Sequence, residues 1–337
     1  MMRAEGVAKS DVHAVREPAT RRTFGSREYV WFVLGALLFT FVFAWRHNGI
    51  FACPGGGYHD GYLAYCQADA YADYDHGAIW FALEPEVVRR AGNASVLFIG
   101  NSRLQFALST AVTTNWFANL RTSYYLLGFG QTENAQFVAP LLDRIEPHAK
   151  VYVVNVDRFF DSQLSQPAAA IMTNADALDR YRTKRRWQPL HELICDRAPA
   201  LCGNHVAFYR SRENGAWTRR GTESQFRTTA VEDAPTEDPQ AWIDYVDIAR
   251  GFVGGLPVAK ACVVLTLAPY HRTKRREAAA IADALGLPLI SPQLHGLTTF
   301  DGSHLDPDSA QRWSEAFFAA AGPAIHRCVA PATAGAR

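Results

Sequence analysis

The sequence has almost no net charge and lacks the cysteine spacing of a zinc site. Its 34 Lys and Arg residues nearly balance its 33 Asp and Glu residues, which gives a formal net charge of +1 at pH 7. Bulk electrostatic attraction therefore does not indicate a nucleic-acid partner, and none is predicted. The six cysteines include no Cys-x-x-Cys pair, so a zinc site of the usual spacing is unsupported. We predict no metal and no cofactor.

Charged residues are also missing from one long stretch near the N-terminus. Residues 29–45 have the sequence YVWFVLGALLFTFVFAW, which is close to the lower limit of the roughly 17–25 apolar residues that cross a bilayer as a helix. Tyr29, Trp31 and Trp45 lie near its ends, as aromatic residues do at membrane interfaces. We predict a transmembrane helix over 29–46. A buried core helix is the alternative.

The charges on either side of this helix predict its orientation. The arm over 1–28 is rich in basic residues, namely Arg3, Lys9, Arg16, Arg21, Arg22 and Arg27. After the apolar run over 29–45, Arg46 is the only Lys or Arg before Arg89. The positive-inside rule places the arm in the cytoplasm and the rest of the chain outside the inner membrane, in the periplasm. A cleaved signal peptide is the alternative, and the length of the arm disfavours it.

Six cysteines in an oxidising compartment predict up to three disulfides. Cys53 and Cys66 bracket a short segment just after the apolar stretch, and Cys195 and Cys202 are also close in sequence. Proximity favours these two pairs and leaves the remaining two cysteines, Cys262 and Cys328. Six cysteines permit 15 connectivities, so this pairing is one hypothesis among several.

Apolar strand patterns and helical patterns alternate from residue 93 onwards. Strands are predicted over 95–100, 123–129, 150–156, 259–269 and 287–292. Helices are predicted over 103–120, 132–145, 273–286 and 306–325, with Thr132 as an N-cap and Gly286 as a C-cap. Near-continuous apolar strands separated by helices are typical of a parallel sheet that is covered on both faces. We predict an α/β fold with a doubly wound, five-stranded parallel sheet, whose ligands bind beyond the carboxyl ends of the strands.

Two segments lie outside this alternation. An insertion over 161–258 separates the third and fourth predicted strands and is expected to be partly helical. Its basic run RYRTKRRW is interpreted either as a solvated face or as a surface for an anionic polymer or the membrane. The connector over 47–92 contains YADYDHGAIWFALEP, which suits either sugar binding or packing along the sheet edge, with a metal site at Asp75 and His76 as a third alternative. The main domain then covers 93–328, and 329–337 form a tail.

The stretch SVLFIGNSRLQF places Ser102 directly after the first predicted strand, where Gly100 permits a tight turn. Ser102 either caps the following helix or acts as a nucleophile at the carboxyl edge of the sheet. A serine nucleophile needs a base and usually a carboxylate that orients the base. TTFDGSHLDPDSAQRW supplies Asp301 and His304 on one loop after the fifth predicted strand. The alternative is a turn-forming Asp301 and a surface His304.

The blocks FIGNSR, LLGFGQTE and DGSHL resemble those of the SGNH, or GDSL-like, hydrolase superfamily. The resemblance covers roughly residues 93–160 and 259–326. It implies a three-layer sandwich with Ser102 as the nucleophile and with Asp301 and His304 completing the triad. The oxyanion hole would then include the amides of Ser102 and Gly130, with Gly128 as the less favoured glycine.

The third block departs from the family pattern, because VVNVDRFF places Asp157 where the family has Asn. An ionised Asp cannot donate a hydrogen bond, and its charge opposes an oxyanion. Asn155, Arg158 and Gln131 are the alternative third donors, and Asn155 is the one that we predict. The first block has Asn101 in place of the usual Asp, and its side chain can still bond to the turn.

A variant third block of this kind is similar to that of membrane-anchored members that act with polysaccharide export machinery. The resemblance therefore implies a serine-dependent O-acyltransferase or acylesterase whose substrate is an acylated carbohydrate. Transfer would require a membrane-bound protein that delivers the acyl group. The alternative function is a catalytically degenerate scaffold or polysaccharide-binding subunit, which Asp157 favours and the intact Ser102, Asp301 and His304 disfavour. A phospholipid esterase is a third hypothesis, for which the sequence shows no apolar groove.

Overall fold

A computed structural model describes residues 25–46, 51–56, 60–67, 73–222, 226–235 and 242–330. Its helices are α1 Ser26–Arg46, α2 Tyr74–Trp80, α3 Pro85–Gly92, α4 Ser102–Ala107, α5 Thr110–Leu120, α6 Ala135–Ile145, α7 Gln166–Thr173, α8 Ala177–Arg197, α9 Ile243–Gly254, α10 Arg275–Leu285 and α11 Pro307–Val329. Its strands are β1 Gly61–Cys66, β2 Val96–Asn101, β3 Tyr124–Phe129, β4 Val151–Asn155, β5 Ala207–Ser211, β6 Trp217–Arg220, β7 Thr229–Ala230, β8 Glu232–Asp233, β9 Val263–Thr266, β10 His271–Thr273 and β11 Thr298–Thr299. Most of the predicted arm and tail lie outside the described residues.

Four parallel strands form the central sheet in the order β3-β2-β4-β9. Successive residues of β2 are buried on opposite faces of the sheet. Val96 and Phe98 pack with α4, α5 and α11 on one face, and Leu97 and Ile99 pack with α3, α6, α9 and α10 on the other. A strand buried on both faces has no polar side, which explains its continuous apolar sequence. The α/β class and the parallel sheet are confirmed.

The fifth strand expected over 287–292 is not a strand of this sheet. Only Leu289 pairs with the sheet, through an isolated bridge to Leu265 of β9. Pro288 and Pro292 flank this pair, and proline has no backbone N–H to donate to a ladder. The segment therefore forms a single bridge with β9, in which Leu265 N donates to Pro288 O and Ile290 N donates to Leu265 O. The five-stranded prediction is corrected to four strands for the described residues.

Two helix boundaries also differ from the prediction. The helix expected over 103–120 is divided into α4 and α5, because Leu108 and Ser109 adopt extended ψ angles between them. Thr132 is not the N-cap of α6: its φ is +53°, and the side chain of Asn134 caps the helix by accepting from Gln136 N at 2.9 Å. Gly286 ends α10 in the left-handed conformation, as predicted.

The connector and the insertion form a second sheet together. Strand β1 of the connector pairs antiparallel with β5, and β5 pairs with β6. The insertion is partly helical, as predicted, because it contains α7, α8 and α9. The predicted disulfide pairing is confirmed, with bonds at Cys53–Cys66, Cys195–Cys202 and Cys262–Cys328.

Helix α2 of the connector packs inside the domain. All seven of its residues are buried, so the described aromatic residues of this segment pack as the sheet-edge interpretation expects. Among the described residues, no group of three or more His, Cys, Asp or Glu side chains is placed to hold a metal. The basic run on α8 contacts this region, since Lys184 pairs with Asp73 at 2.5 Å and Arg185 with Glu84 at 2.9 Å.

Helix α1 stands apart from the folded domain. Its 18-residue window Ser26–Phe43 has a mean hydropathy of 1.4, and none of that window is buried against the rest of the described chain. Its length and composition are sufficient to cross a membrane. The large apolar side chains Trp31 and Phe39 are correspondingly exposed.

Candidate active site

Asn101 caps the helix that follows β2, which leaves the Ser102 side chain available. Asn101 Oδ1 accepts from Arg103 N at 3.0 Å, and Asn101 has the extended backbone of an N-cap residue. Ser102 is the first residue of α4 and its hydroxyl contacts another part of the chain. The N-cap of α4 is therefore Asn101 and not Ser102.

The structure brings the predicted Ser102, His304 and Asp301 side chains together. His304 Nε2 lies 2.8 Å from Ser102 Oγ, and His304 Nδ1 lies 2.6 Å from Asp301 Oδ2. Because a carboxylate only accepts, Nδ1 carries the imidazole proton and donates it to Asp301. In this tautomer Nε2 is the acceptor for the Ser102 hydroxyl. All three side chains are partly exposed, so the relay can be reached from outside.

The backbone of one tight loop holds Asp301 and His304 in this geometry. Asp301 Oδ1 accepts from the backbone N–H groups of Ser303 at 2.9 Å and His304 at 2.8 Å. Gly302 has a φ of +81°, a conformation that residues with a Cβ rarely adopt. Phe300 N donates to His304 O at 2.9 Å. The Asp-Gly-Ser-His sequence therefore folds into a turn that presents the imidazole.

These contacts keep Asp301 ionised. Burial alone would raise the pKa of Asp301, but the hydrogen bonds from the His304 ring and from the Ser303 and His304 backbone outweigh burial and lower it below its usual 3.8. A carboxyl with a lowered folded-state pKa stabilises the fold fully above its unfolded pKa, and that stabilisation is lost as the pH falls through the folded pKa. At neutral pH the carboxylate is therefore available to orient His304.

Gly130 lies beside Ser102 at the carboxyl edge of the sheet. Asn101 pairs with Phe129 across β2 and β3, so the residues that follow, Ser102 and Gly130, leave neighbouring strands together. A Cβ on Gly130 would meet only the edge of Trp217, at 3.6 Å. Gly130 therefore lies at the same edge of the sheet as Ser102 and carries no side chain that would fill the space there.

Gly128 lies within the strand and is enclosed. Its carbonyl accepts from Gln105 Nε2 at 3.0 Å and from Arg210. A Cβ there would lie 2.8 Å from Asn101 O. A glycine is therefore needed at position 128 for packing. Gly130, and not Gly128, is the glycine at the carboxyl edge of the sheet.

The loop after Gly130 has an unusual backbone. Gln131 and Thr132 both have positive φ, at +58° and +53°, and a β-branched residue rarely adopts this conformation. Glu133 N donates to Gly130 O at 3.2 Å, and the buried Glu133 carboxylate lies 3.1 Å from His76. Strained backbone persists only where surrounding contacts hold it. The Gln131 side chain itself is exposed.

Two other residues predicted as oxyanion donors have partners of their own. Asn155 is fully buried, and its Oδ1 accepts from Ala268 N at 2.8 Å while its Nδ2 donates to Asn101 Oδ1 at 3.4 Å. Arg158 lies 3.8 Å from Asp161 on the surface. The contacts of Asn155 therefore support the cap at Asn101.

Asp157, the departure from the family pattern, is buried in an ion pair with Arg103. Its Oδ2 accepts from Arg103 Nη1 and from Asn101 Nδ2 at 3.0 Å. A carboxylate beside a guanidinium has its negative charge largely balanced. Asp157 therefore anchors Arg103, the residue that follows Ser102.

Arg103 extends this anchor to the His304 loop. Its Nε donates to Ser303 Oγ at 3.0 Å, and its guanidinium carbon lies 3.7 Å from the centre of the Tyr270 ring. Burial, and after it the negative charge of Asp157, raise the pKa of Tyr270, so its hydroxyl stays protonated. Arg103 thus links the third block to the loop that carries His304, and we interpret it as a positioning residue.

Replacing Arg103 with Met is expected to lower kcat on an activated ester by about 10²-fold, with little change in KM, since small misplacements of reacting groups have effects of this size. The buried Asp157 would lose its partner, which also lowers stability by about 3 kcal/mol. Adding Asp157→Leu to the Arg103→Met variant is expected to restore the free energy of unfolding without restoring kcat. Steady-state kinetics and thermal melts check both effects. An unchanged kcat would contradict the positioning role, and Arg158→Met is the control.

Two phenylalanines contact the His304 ring and each other. The Phe106 ring meets it edge-on with 5.0 Å between centroids, and the Phe300 ring stacks on it at 5.5 Å. Phe106 and Phe300 also contact each other at 5.4 Å. Such contacts restrict the ring in addition to its bond with Asp301.

Arg210 of the insertion hairpin supports the strand that leads to Gly130. It is fully buried, and its Nη2 lies 2.6 Å from Asp75 Oδ2. It also donates to the carbonyls of Leu126 and Gly128 in β3. The connector and the insertion are therefore tied through one side chain to the site edge of the sheet.

A comparison of the chain with protein-family models, with curated proteins and with solved structures finds no match in any of the three. The candidate site is thus defined by its own contacts. Sequence reasoning missed Arg103, whose position next to Ser102 was the available signal. It also missed Arg210 and the aromatic residues around His304, because only the fold brings those distant segments together.

Proposed function

We propose that this chain is a membrane-anchored, extracytoplasmic acyl-transfer enzyme of the SGNH type that acts on ester groups of an acylated carbohydrate. The observation that carries the proposal is the relay from Asp301 through His304 to Ser102 Oγ, with distances of 2.6 and 2.8 Å. A serine hydroxyl becomes an effective nucleophile when a base so placed takes its proton. The resemblance of the three sequence blocks supports the same chemistry.

The first half-reaction forms an acyl-enzyme. Ser102 Oγ attacks the ester carbonyl carbon while its proton passes to His304 Nε2, and the carbonyl oxygen takes up negative charge. As the carbonyl re-forms, the ester C–O bond breaks and the leaving alkoxide takes the proton from His304. Asp301 stabilises the imidazolium throughout and stays ionised.

The second half-reaction removes the acyl group. Water or a sugar hydroxyl loses its proton to His304 Nε2 and attacks the acyl carbon, and Ser102 leaves with that proton restored. Water as the acceptor gives an esterase, and a sugar hydroxyl gives an O-acyltransferase. We assign the oxyanion contacts to the backbone N–H groups of Ser102 and Gly130. Asn155 assists indirectly, because its amide holds Asn101.

The orientation of the proposed membrane helix α1 determines the side of the membrane on which the reaction takes place. In the orientation predicted by the positive-inside rule, α1 anchors the domain on the periplasmic side of the inner membrane. Cytosolic acyl-CoA does not reach that side directly. Transfer would therefore draw on an acyl group delivered by a membrane protein, whereas hydrolysis needs only the acylated polymer.

The experiment that tests the proposal is labelling of the detergent-solubilised full-length chain with a serine-directed fluorophosphonate. The proposal predicts labelling of the wild type, loss of labelling in Ser102→Ala and retention in Ser123→Ala, a serine that pairs with Ser95 at the opposite, amino end of the sheet. Absence of labelling in the folded wild type, together with retained polysaccharide binding, would favour the scaffold alternative.

A further inference from the structure

A cavity of about 370 Å³ lies next to the His304 loop, and two of its lining residues, Phe106 and Phe300, contact the His304 ring. Gln105 and Phe106 line it one helical turn after Ser102, and Leu305 lines it directly after His304. Residues three and four positions apart lie on one face of a helix, so the nucleophile and this wall face the same side. The volume falls at the lower end of the roughly 300–1,000 Å³ of small-molecule sites.

The lining of this cavity combines aromatic and aliphatic side chains with polar ones. Phe106, Phe300 and Trp217 form part of the wall, with Phe106 and Trp217 6.1 Å apart between ring centroids. The aliphatic part consists of Leu108, Leu305, Pro307 and Ala310, and Ser109, Thr110 and Thr218 also line the cavity. A pyranose has apolar C–H faces for the apolar wall and hydroxyls for the polar residues.

Arg219 gives the cavity its charge. It is the one charged residue that lines this cavity among the described residues, and none of them contributes an Asp or Glu to the wall. Its guanidinium carbon lies 4.2 Å from the centre of the Phe300 ring, which itself stacks on His304. A guanidinium presents a planar fork of N–H donors that matches a carboxylate.

We propose that this cavity binds a carboxylate-bearing sugar unit of the substrate, with Arg219 holding the carboxylate and the aromatic wall holding the ring. The inference rests on the proposed function and deepens it, because it names an anionic glycan as the substrate class. The sugar would then lie next to Ser102, where the ester that it carries meets the nucleophile.

The test is a calorimetric titration of the full-length Ser102→Ala variant with methyl glucuronide and with methyl glucoside. Because it measures binding, it does not depend on turnover. The proposal predicts that the glucuronide binds at least ten-fold more tightly, as expected for a hydrogen bond between charged groups. Arg219→Gln in the same background is expected to remove that preference, and Arg219→Lys, which keeps the charge and loses the fork, to keep part of it.

Arg220→Gln is the matched control. Arg220 is the next residue of β6, contacts Gly56 O and lines a different cavity, so the preference should survive its replacement. Equal binding of the two sugars, equal loss in both arginine variants, or no binding of the glucuronide would overturn the inference. Failure of the proposed function is distinguishable, since it appears as absence of Ser102-dependent fluorophosphonate labelling whatever the titration shows.

Discussion

Replacement of His304 by alanine is expected to lower kcat/KM for p-nitrophenyl acetate by on the order of 10⁴–10⁶-fold. Without the imidazole, the Ser102 hydroxyl has no base 2.8 Å away to take its proton. The replacement leaves the backbone turn intact, because that turn depends on the Asp301 carboxylate and on backbone N–H groups. We therefore expect a folded protein with only the residual rate that binding and the oxyanion contacts supply.

Asp301→Asn is expected to lower the same parameter by about 10⁴-fold, because an amide can donate to Nδ1 and so favour the wrong imidazole tautomer. His295→Ala is the control, since His295 is exposed on the preceding segment. Steady-state rates with matched thermal melts measure these effects. A loss smaller than ten-fold in folded His304→Ala would show that another group acts as the base.

Replacement of Arg210 by Met is expected to lower the free energy of unfolding by about 3–5 kcal/mol, the range for removing one partner of a buried ion pair. The Arg210 and Asp75 side chains are only 0% and 3% exposed, so the remaining Asp75 carboxylate would be buried without its counter-charge. The carbonyls of Leu126 and Gly128 would also lose a donor. The melting temperature of the full-length protein should fall by roughly 10 °C.

A double variant separates the unpaired charge from lost packing. Adding Asp75→Leu to Arg210→Met should recover most of the stability, because an apolar pair of similar volume replaces a buried ion pair at little cost. Arg212→Met is the matched control on the same hairpin, since Arg212 is more exposed and its partner Glu84 also pairs with Arg185. A change below 1 kcal/mol in Arg210→Met would contradict the anchoring role.

The local parts of the candidate site could be predicted from the sequence. Ser102 follows an apolar strand, and Asp301 and His304 lie on one short loop, so each was visible as a local pattern. Their meeting follows from a rule of topology, because the carboxyl ends of parallel strands lie along one edge of the sheet. The apolar helix and the disulfide pairing were also visible, through composition and proximity.

The remaining features depend on contacts between distant segments. In the sequence, Asp157 is a departure from the SGNH pattern whose negative charge has no evident partner. In the fold, Arg103 forms an ion pair with it. The pairing of connector strand β1 with the insertion hairpin joins segments more than 140 residues apart, such as Cys66 and Ala207, and no local pattern marks that partnership. The missing fifth strand was misjudged because the apolar pattern over 287–292 outweighed the two prolines that flank its centre.

The most direct test of the proposed chemistry is to look for the acyl-enzyme. Full-length protein is mixed with p-nitrophenyl acetate, quenched in acid within the first turnover and digested, and the peptides are mapped by mass spectrometry. The mechanism predicts an acetyl group on Ser102 that is absent from the His304→Ala variant. The acetylated fraction should rise under conditions that slow hydrolysis of the acyl-enzyme. An acetyl group found on another side chain, with turnover independent of Ser102, would contradict it.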